Sequence, residues 1–497
     1  SINTSVTTLT MASASSFPSS GTVIIGSELI TYTGVSGNTL TGLTRGANGT
    51  TAASHSSGAT VQDASGYAGW NTAVSGDVVT APGLWSLDNF GNKLIATITG
   101  GESFEWDSNP TTANNTRATI ISGAPTASEF SLVSTPDRHL IFFGTETTIG
   151  TPSTQDPMFI RFSSQEDINT YTPSATNTAG TQRLSDGSKI VGAIRGRDAI
   201  YVWTDTALFI MRFVGPPFTF SFQQVGTNCG LIGKNAAVEV DGTAYWMSEN
   251  GFFRYTGKLE SLPCLVEDHV YDDINTIPKQ HINVGLNNLF GEVMWFYPNS
   301  GSGTVNRMVA YNYLDSSSER PVWTVGTLSR TAWQDSAVFG KPHATEYDAD
   351  GTTAATDTNH VIGCTDGVST YFEHETGLNQ IKEGAITAIT ASIESGDFDI
   401  GQQGLAGDGE FMMKIRRVIP DFLSQTGDAR ITLNLRDFPN DTQASSTLGP
   451  FTVTSGTQKI DTRARARSIS LKIDNTGTSQ FWKLGTFRID YQPDGRR

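Results

Sequence analysis

Three arginines alternate with two alanines near the end of the 497-residue chain, at Arg463, Arg465 and Arg467. Residues two apart on a β-strand point to the same face, so this spacing predicts three guanidinium groups in one row. Guanidinium groups form paired hydrogen bonds with carboxylates. We therefore interpret the row, together with Arg496 and Arg497, as a surface that binds an acidic partner. A solvated strand face is the plainer interpretation, and nucleic-acid binding is disfavoured because no aromatic residues separate the arginines.

The sequence contains no spacing typical of a catalytic, cofactor-binding or metal site. Its seven histidines lack the H-E-x-x-H pattern, and neither a G-x-S-x-G elbow nor a P-loop is present. Residues 348–351 begin like a calcium loop but have no closing glutamate, which favours a plain turn. Cys229, Cys264 and Cys364 are too far apart for a zinc site, and we expect them to be small buried residues. We expect a protein that is not an enzyme and holds no cofactor or metal.

The composition indicates a folded protein with an acidic surface that is poor in charges. The chain has 33 lysines and arginines against 49 aspartates and glutamates, a net charge of −16, and only 16% of its residues are charged. Its 10% aromatic content argues against disorder, and the negative charge argues against a protein that grips DNA along most of its surface. The longest apolar runs, such as residues 140–143, are too short to span a membrane. The first residues, which begin at Ser1, show no signal-peptide pattern.

Short alternating segments rich in β-branched and aromatic residues predict an all-β fold along the whole chain. Residues 1–65 predict a small β-hairpin module. Residues 66–384 predict a β-propeller of about six blades, with a set of β-sandwiches as the alternative, and residues 385–497 predict a β-sandwich. The best helix candidate is short and covers residues 266–274.

Six segments of the middle region begin with a turn rich in Asp, Gly or Asn and continue into an apolar strand. Their spacing of about 45 to 70 residues leaves room for four-stranded blades of roughly 40–50 residues and their loops. We expect the inner strand of each blade to carry the apolar run. The segments are residues 87–96, 135–143, 196–203, 241–247, 288–297 and 359–364.

Two parts of the chain resemble bacteriophage tail proteins. Residues 28–46 and 49–58, which include Glu28, Arg45 and His55, resemble a small β-module found in many phage tail proteins. A second set of segments is similar to the tail hub or nozzle proteins of short-tailed phages, also called packaged-DNA stabilisation proteins. This second set comprises residues 159–163, 181–187, 212–218, 226–233, 481–486 and 493–497.

The resemblance implies a structural protein of the virion tail, assembled in the host cytoplasm. It implies a propeller core and a homo-oligomeric ring of six copies below the portal and adaptor rings. Such a ring extends the DNA-ejection channel and closes it until infection, and double-stranded DNA passes through it transiently. Tail fibres or a needle are further partners that it suggests, with the inserted module of residues 1–65 as a docking surface for fibres.

The net charge divides unevenly along the chain. Residues 385–497 hold 14 basic and 13 acidic residues, so residues 1–384 carry −17. An acidic channel wall repels the duplex and lets it slide, because each cationic contact with a phosphate adds binding free energy. Solubility is the plainer explanation of the acidic balance. A carbohydrate-binding or carbohydrate-cleaving propeller that serves as an adhesin is the alternative function.

Overall fold

A computed structural model describes most of the chain, and the chain divides into two compact units, Ser1–Glu373 and His374–Arg497. The sequence analysis placed this boundary after residue 384. The predicted segment 359–364 with Cys364, residues 349–351 of the calcium-like turn, the junction at 65–66 and Arg497 lie outside the described residues. The described residues are 2–15, 17–26, 28–47, 50–63, 85–107, 118–135, 137–348, 368–382, 385–401, 404–405, 409–438 and 446–496.

The first unit begins with a small β-module made of two three-stranded sheets, ordered β1-β5-β4 and β3-β2-β6. Alternate residues of its strands point inward, and Val23, Ile30 and Leu40 are fully buried in a core of its own. The strands are β1 (Thr8–Thr10), β2 (Gly21–Ile25), β3 (Glu28–Tyr32), β4 (Gly34–Ser36), β5 (Thr39–Thr41) and β6 (Gln62–Asp63).

A fully buried carboxylate holds the module's long loop in place. Glu28 accepts hydrogen bonds from Arg45 at 2.8 and 2.7 Å and lies 2.7 Å from Nε2 of His55. The backbone amides of Gly46 and Ala53 also donate to it, at 3.0 and 3.1 Å. Burial raises the pKa of Glu28, but these donors outweigh that effect and lower it to about 2. Glu28, Arg45 and His55 therefore form one cluster around the buried carboxylate.

The rest of the first unit consists of six successive antiparallel sheets within the described residues, which gives an all-β propeller. Five of these sheets have four strands and the sixth has three. The first strands of neighbouring sheets contact one another and are therefore the inner strands. The strands of the first three sheets are β7 (Trp85–Phe90), β8 (Lys93–Ile98), β9 (Ser103–Asp107), β10 (Thr119–Ile120), β11 (Phe130–Val133), β12 (Leu140–Phe143), β13 (Phe159–Phe162), β14 (Gly180–Arg183), β15 (Ile190–Arg195), β16 (Ile200–Thr204), β17 (Ala207–Gly215) and β18 (Thr219–Thr227).

The last three sheets follow the same plan, and short helical turns lie in the connections. The predicted helix at 266–274 is present but spans only α1 (Glu267–Tyr271). The other elements are β19 (Ala237–Val240), β20 (Thr243–Ser248), β21 (Gly251–Tyr255), β22 (Leu259–Ser261), β23 (Asn283–Asn287), β24 (Glu292–Tyr297), β25 (Arg307–Asn312), β26 (Trp323–Gly326), β27 (Ala332–Gln334), α2 (Ser336–Phe339), β28 (His343–Asp348), β29 (Val368–Glu373) and the 3-10 turns Pro152–Thr154 and Lys279–His281.

In the first five sheets the apolar runs lie in the second strand, and there the expectation that they form the inner strand was wrong. In β16, Ile200 and Val202 pack into the core shared with the second sheet, whereas Tyr201 and Trp203 pack into the core shared with the fourth and fifth. A second strand is covered by sheets on both faces and by strands on both edges. It therefore needs apolar residues at every position, whereas an inner strand borders the central axis.

Two buried tryptophans fix the connection between the third and fourth sheets. The indole nitrogen of Trp246 in β20 donates to the Cys229 carbonyl at 2.8 Å, and that of Trp295 in β24 donates to the Ala236 carbonyl at 3.0 Å. Both indoles are fully buried. Each donor is thereby satisfied, as buried polar groups require.

The second unit is a β-sandwich with one apolar core between two sheets, ordered β32-β40-β37-β38 and β39-β35-β42. Strict alternation in β37 points Ala429, Ile431, Leu433 and Leu435 into this core. Its strands are β30 (Asn379–Lys382), β31 (Ala385–Ala388), β32 (Ser392–Glu394), β33 (Ile400–Gly401), β34 (Gly404–Leu405), β35 (Met413–Ile419), β36 (Phe422–Thr426), β37 (Ala429–Arg436), β38 (Ser446–Val453), β39 (Ile460–Ala466), β40 (Ser468–Asp474), β41 (Phe481–Leu484) and β42 (Arg488–Pro493).

The buried cluster of Glu28 predicts that the module loses stability in acid. The pKa of Glu28 is about 2 in the folded chain and 4.5 ordinarily. The ionised carboxylate therefore stabilises the fold fully above pH 4.5, and this contribution to the free energy of unfolding is lost as the pH falls toward 2. The loss is about 3 kcal/mol. Amide hydrogen exchange of β2 and β3 measures it in the full chain.

In the variant Glu28→Gln, the amides of β2 and β3 should exchange faster at neutral pH, and their protection should no longer fall as the pH is lowered toward 2. Glu166→Gln is the matched control, because Glu166 forms an exposed ion pair with Arg138 and its loss should cost less than about 1 kcal/mol. Equal exchange rates in wild type and Glu28→Gln would contradict the prediction.

Candidate functional site

The outer face of the three-stranded sheet in the second unit carries a cluster of cations. Arg463 and Arg465 project outward from β39. Ala464, between them, and Ala466, after them, are buried in the core. Small apolar side chains on one face and arginines on the other are what a half-buried strand requires. The central strand β35 and the edge strand β42 add Lys414, Arg416, Arg417 and Arg488. We call these six cations the basic face.

The cations of the basic face are only partly neutralised. Arg465 pairs with Asp494 at 2.5 Å, and Arg417 pairs with Asp461 at 2.8 Å. The hydrogen bond from Arg417 lowers the pKa of Asp461. Within the described residues the Arg463 side chain makes no ion pair or hydrogen bond. The face therefore keeps a net positive charge.

Two cations of the basic face lie directly opposite each other. Lys414 in β35 is the cross-strand partner of Arg465 in β39. Like charges in this position destabilise a sheet, and the ion pair of Arg465 with Asp494 compensates part of the repulsion.

Arg467 and Arg496, the other predicted arginines among the described residues, are tied into the second unit itself. Arg467 follows the end of β39, and its guanidinium donates to the carbonyl oxygens of Gly409 at 2.9 Å and of Glu410 at 3.4 Å. Arg496 pairs with Glu410 at 3.3 Å and lies over the ring of Phe411. The structure thus does not place Arg467 with Arg463 and Arg465 as a third outward cation.

Lys414, Arg416, Arg417 and Arg488 belong to the basic face but were not among the sequence candidates. They lie far from residues 463–467 in the chain, and only the pairing of β35 with β39 and β42 brings them together. The alternation of basic and apolar residues in 413–419 was the available signal.

A second polar group joins the inner strands of the propeller. Asp88 of the first sheet accepts hydrogen bonds from the Val133 amide of the second sheet at 2.7 Å and from Arg195 of the third at 2.8 Å. Lys234, just before the fourth sheet, donates to the Trp85 carbonyl at 3.3 Å. Side chains from the third sheet and from the connection before the fourth therefore contact the first sheet.

Two open cavities lie in the first unit. One, of about 800 Å³, lies beside the first and second sheets and is lined by Phe90, Lys93, Asp107, Arg138 and Asp167 among others. The other, of about 720 Å³, lies in the β-module between residues 6–17 and 55–61. The first mixes carboxylates, cations and one aromatic ring, and the second is lined mostly by small and apolar residues.

The described part of the chain was found to contain no metal-binding group, no reactive thiol and no membrane-spanning helix. It contains no group of three metal-binding side chains and no helix long and apolar enough to cross a membrane. Burial raises the pKa of both Cys229 and Cys264 to about 11, so both thiols are protonated at neutral pH.

Comparisons with known proteins add little to this description. No family model and no curated protein matches the chain. The dihydro-heme d1 dehydrogenase NirN in complex with DHE is 9% identical with a TM-score of 0.33, over 68% of this chain, and the chain spans only 63% of that protein. The CNH domain of AfRom2 is 10% identical with a TM-score of 0.35, over 65% of this chain and 92% of that one. BamB from Moraxella catarrhalis is 12% identical with a TM-score of 0.28, over 53% and 79%.

Similarities this low carry no argument about function. The propeller assignment stands on the arrangement of the chain's own sheets, and the resemblance to phage tail proteins stays a prediction.

The different contacts of Arg467 and Arg463 predict different effects on stability. Arg467→Ala should lower the free energy of unfolding of the second unit by about 1–3 kcal/mol, because it removes charged donors from backbone carbonyls. Arg463→Ala should change it by less than about 0.5 kcal/mol, since its side chain is exposed and unpaired. Chemical denaturation followed by Trp482 fluorescence measures both, and equal losses would refute the distinction.

Lys234 is half-buried and predicts a contribution to stability that grows at alkaline pH. Burial lowers its pKa to about 8 from 10.5, so between these pH values the unfolded chain binds more protons at this lysine than the folded one. The contribution of Lys234 to the free energy of unfolding of the first unit should therefore rise across this window, by up to about 3 kcal/mol. The raised pKa values of Cys229 and Cys264 act in the opposite direction above pH 9, so the rise is measured as the difference between wild type and a variant without the lysine.

The variant Lys234→Met should lack this rise, as judged from denaturation of both proteins at the two ends of the window. Lys279→Met is the control, because Lys279 forms a more exposed pair with Glu249 and its loss should leave the rise intact. A wild-type curve that runs parallel to that of Lys234→Met would contradict the prediction.

Proposed function

We propose that this chain is a structural protein of a phage virion tail, a nozzle or hub that forms a ring and extends and closes the DNA-ejection channel below the portal and adaptor. The observation that carries the proposal is the basic face of the second unit on a chain whose first unit is strongly acidic. The proposal includes the virion tail as the location, assembly in the host cytoplasm, and no enzymatic activity.

The charges of the two units support contact between copies. Residues 374–497 contain 15 basic and 15 acidic residues, so the first unit carries the whole net charge of −16. The basic face of one copy thus complements the acidic first unit of the next. A head-to-tail contact of this kind uses two different surfaces and closes into a ring when the rotation permits. Six copies are the number that the family resemblance implies.

We place the proposed channel between subunits and not within one propeller. Contacts of 2.8 Å from Arg195 to Asp88 and of 3.3 Å from Lys234 to Trp85 join the inner strand of the first sheet to later parts of the propeller. A DNA duplex, whose major groove alone is about 12 Å wide, is far wider than a gap that such contacts bridge. An acidic wall built from several first units would repel the phosphates and let the duplex slide.

Charge reversal on the basic face tests how the ring is assembled. Wild-type protein should form rings in negative-stain images, and Arg463→Glu with Arg465→Glu should form no rings, because two attractive contacts become repulsive. Rings should also weaken with rising salt, which screens exposed charges.

The control carries the same two changes elsewhere, at the exposed Arg197 and Arg320, and should form rings like the wild type. Rings that persist in the Arg463→Glu, Arg465→Glu protein, or wild-type protein seen only as single subunits, would contradict the proposed contact.

The role in the virion is tested with phage particles. Particles assembled without this chain should lose their packaged DNA to added nuclease, and wild-type chain supplied in trans should restore protection, whereas the charge-reversed chain should not. Full protection of the DNA in particles that lack the chain would refute a nozzle that closes the channel.

The cavity of about 800 Å³ beside the first and second sheets favours the alternative of a carbohydrate-binding propeller adhesin. Carboxylates accept hydrogen bonds from sugar hydroxyls, and a sugar ring packs on an aromatic ring. Asp107, Asp167 and Phe90 in the cavity lining are groups of these two kinds. A glycan array probed with wild type and Asp167→Ala tests it. The alternative predicts binding that the variant loses, and no binding or hydrolysis by the wild type would discard it.

A further inference from the structure

The outer strands of the propeller sheets differ in how well they are protected from pairing with another chain. Proteins shield such edges by keeping them short, by charged residues, by prolines or by bulges. The outer strands β10, β22 and β26 have two, three and four residues. The outer strands β14 and β29 each contain a charged residue, Arg183 and Glu373.

The outer strand β18 of the third sheet lacks most of these protections. It is nine residues long, Thr219–Thr227, and contains neither a charged residue nor a proline. The edges of the second unit also contrast with it. Strands β32, β39 and β42 carry charges, and β38 contains Pro450.

The free side of β18 offers unpaired backbone groups. This strand ends its sheet and pairs only with β17. Apart from a turn bond from the Phe220 amide to the Phe218 carbonyl, its backbone makes no further backbone hydrogen bond within the part of the chain described here. A bulge at Val225 interrupts the ladder, so the regular stretch is residues 220–224, opposite residues 209–213 of β17.

Large apolar side chains surround the hairpin tip beside this edge. Phe213, Val214 and Phe218 are 42%, 55% and 77% exposed. In β18 itself Ser221 and Gln223 are exposed, whereas Phe220 is buried and Phe222 half-buried. Apart from Arg212 of β17, which is exposed opposite Ser221, the edge and the tip contain no charged residue on a chain of net charge −16.

We propose that β18 pairs antiparallel with β18 of a second copy of this chain, across a two-fold axis at Phe222. A strand that pairs with itself sets each residue near residues of the same strand, so charges of one sign would repel. The lack of charge in β18 is what such a contact requires. The contact goes beyond the proposed ring and does not depend on it, because the basic face takes no part.

The two-fold axis fixes which side chains meet. Ser221 of one copy lies opposite Gln223 of the other, twice, and the two Phe222 rings face each other across the axis. Aromatic pairs across strands stabilise antiparallel sheets. The pairing also completes the hydrogen bonds of both exposed edges, and the joined sheets of the two copies form one eight-stranded sheet.

Paired charge substitutions at residues 221 and 223 test the contact and its register. All proteins carry Arg463→Glu and Arg465→Glu, so that the ionic contact proposed above is removed. The parent of this background should form dimers as its concentration rises in sedimentation velocity. Adding Ser221→Lys with Gln223→Lys places lysine opposite lysine twice and should raise the dimer dissociation constant by roughly tenfold or more.

The matched variant, Ser221→Lys with Gln223→Glu, changes the same two residues but places lysine opposite glutamate. It should dimerise at least as tightly as the parent. Both positions are exposed, so thermal unfolding should be the same in the two variants. Amides of residues 220–224 should also exchange more slowly with solvent as the parent's concentration rises.

Three outcomes would overturn the proposal. They are a parent chain that stays monomeric at every concentration, a lysine–lysine variant that dimerises like the parent, and a lysine–glutamate variant that stays monomeric. Failure of the ring alone would appear as a wild type without rings whose β18 dimer persists, so the two proposals fail separately.

Discussion

The propeller depends on covering both faces of each sheet with the faces of its neighbours. Strand β17 illustrates this, because Leu208 and Ile210 pack into one core cluster while Phe209 and Met211 pack into the other. A helix-poor chain has no other element with which to cover a sheet. Six sheets arranged around an axis let each one cover the next, and this need accounts for the near-continuous apolar runs of the second strands.

That constraint also explains what the sequence could and could not predict. Apolar runs next to turns predicted strands such as β16 and β24 and the all-β propeller, which is confirmed. The same runs did not tell which strand lies nearest the axis, because burial depends on sheets far away in sequence. The predicted helix at 266–274 shortened to α1, since only Val270 is buried within it.

The candidate site was predictable only in part, for the same reason. The Arg463–Arg467 alternation identified one strand of the basic face, but Lys414 and Arg488 join it through strand pairing. Arg467 shares the alternation and yet turns to backbone carbonyls, because β39 ends at Ala466. Residue spacing predicts which side chains share a face of a strand, but not where the strand ends or which strands lie beside it.

Charge is used in opposite ways inside and outside the molecule. Glu28 and Asp88 are each surrounded by donors that satisfy them, and they fasten a loop and three sheets. At the surface, Lys414 lies opposite Arg465, whose charge Asp494 compensates, and β18 omits the charges that protect other edges. Natural sequences break local rules mainly where function compensates the cost. Of these two places only β18 lacks a compensating group in its own sheet, and it is there that the proposed contact between copies supplies the missing hydrogen-bond partners.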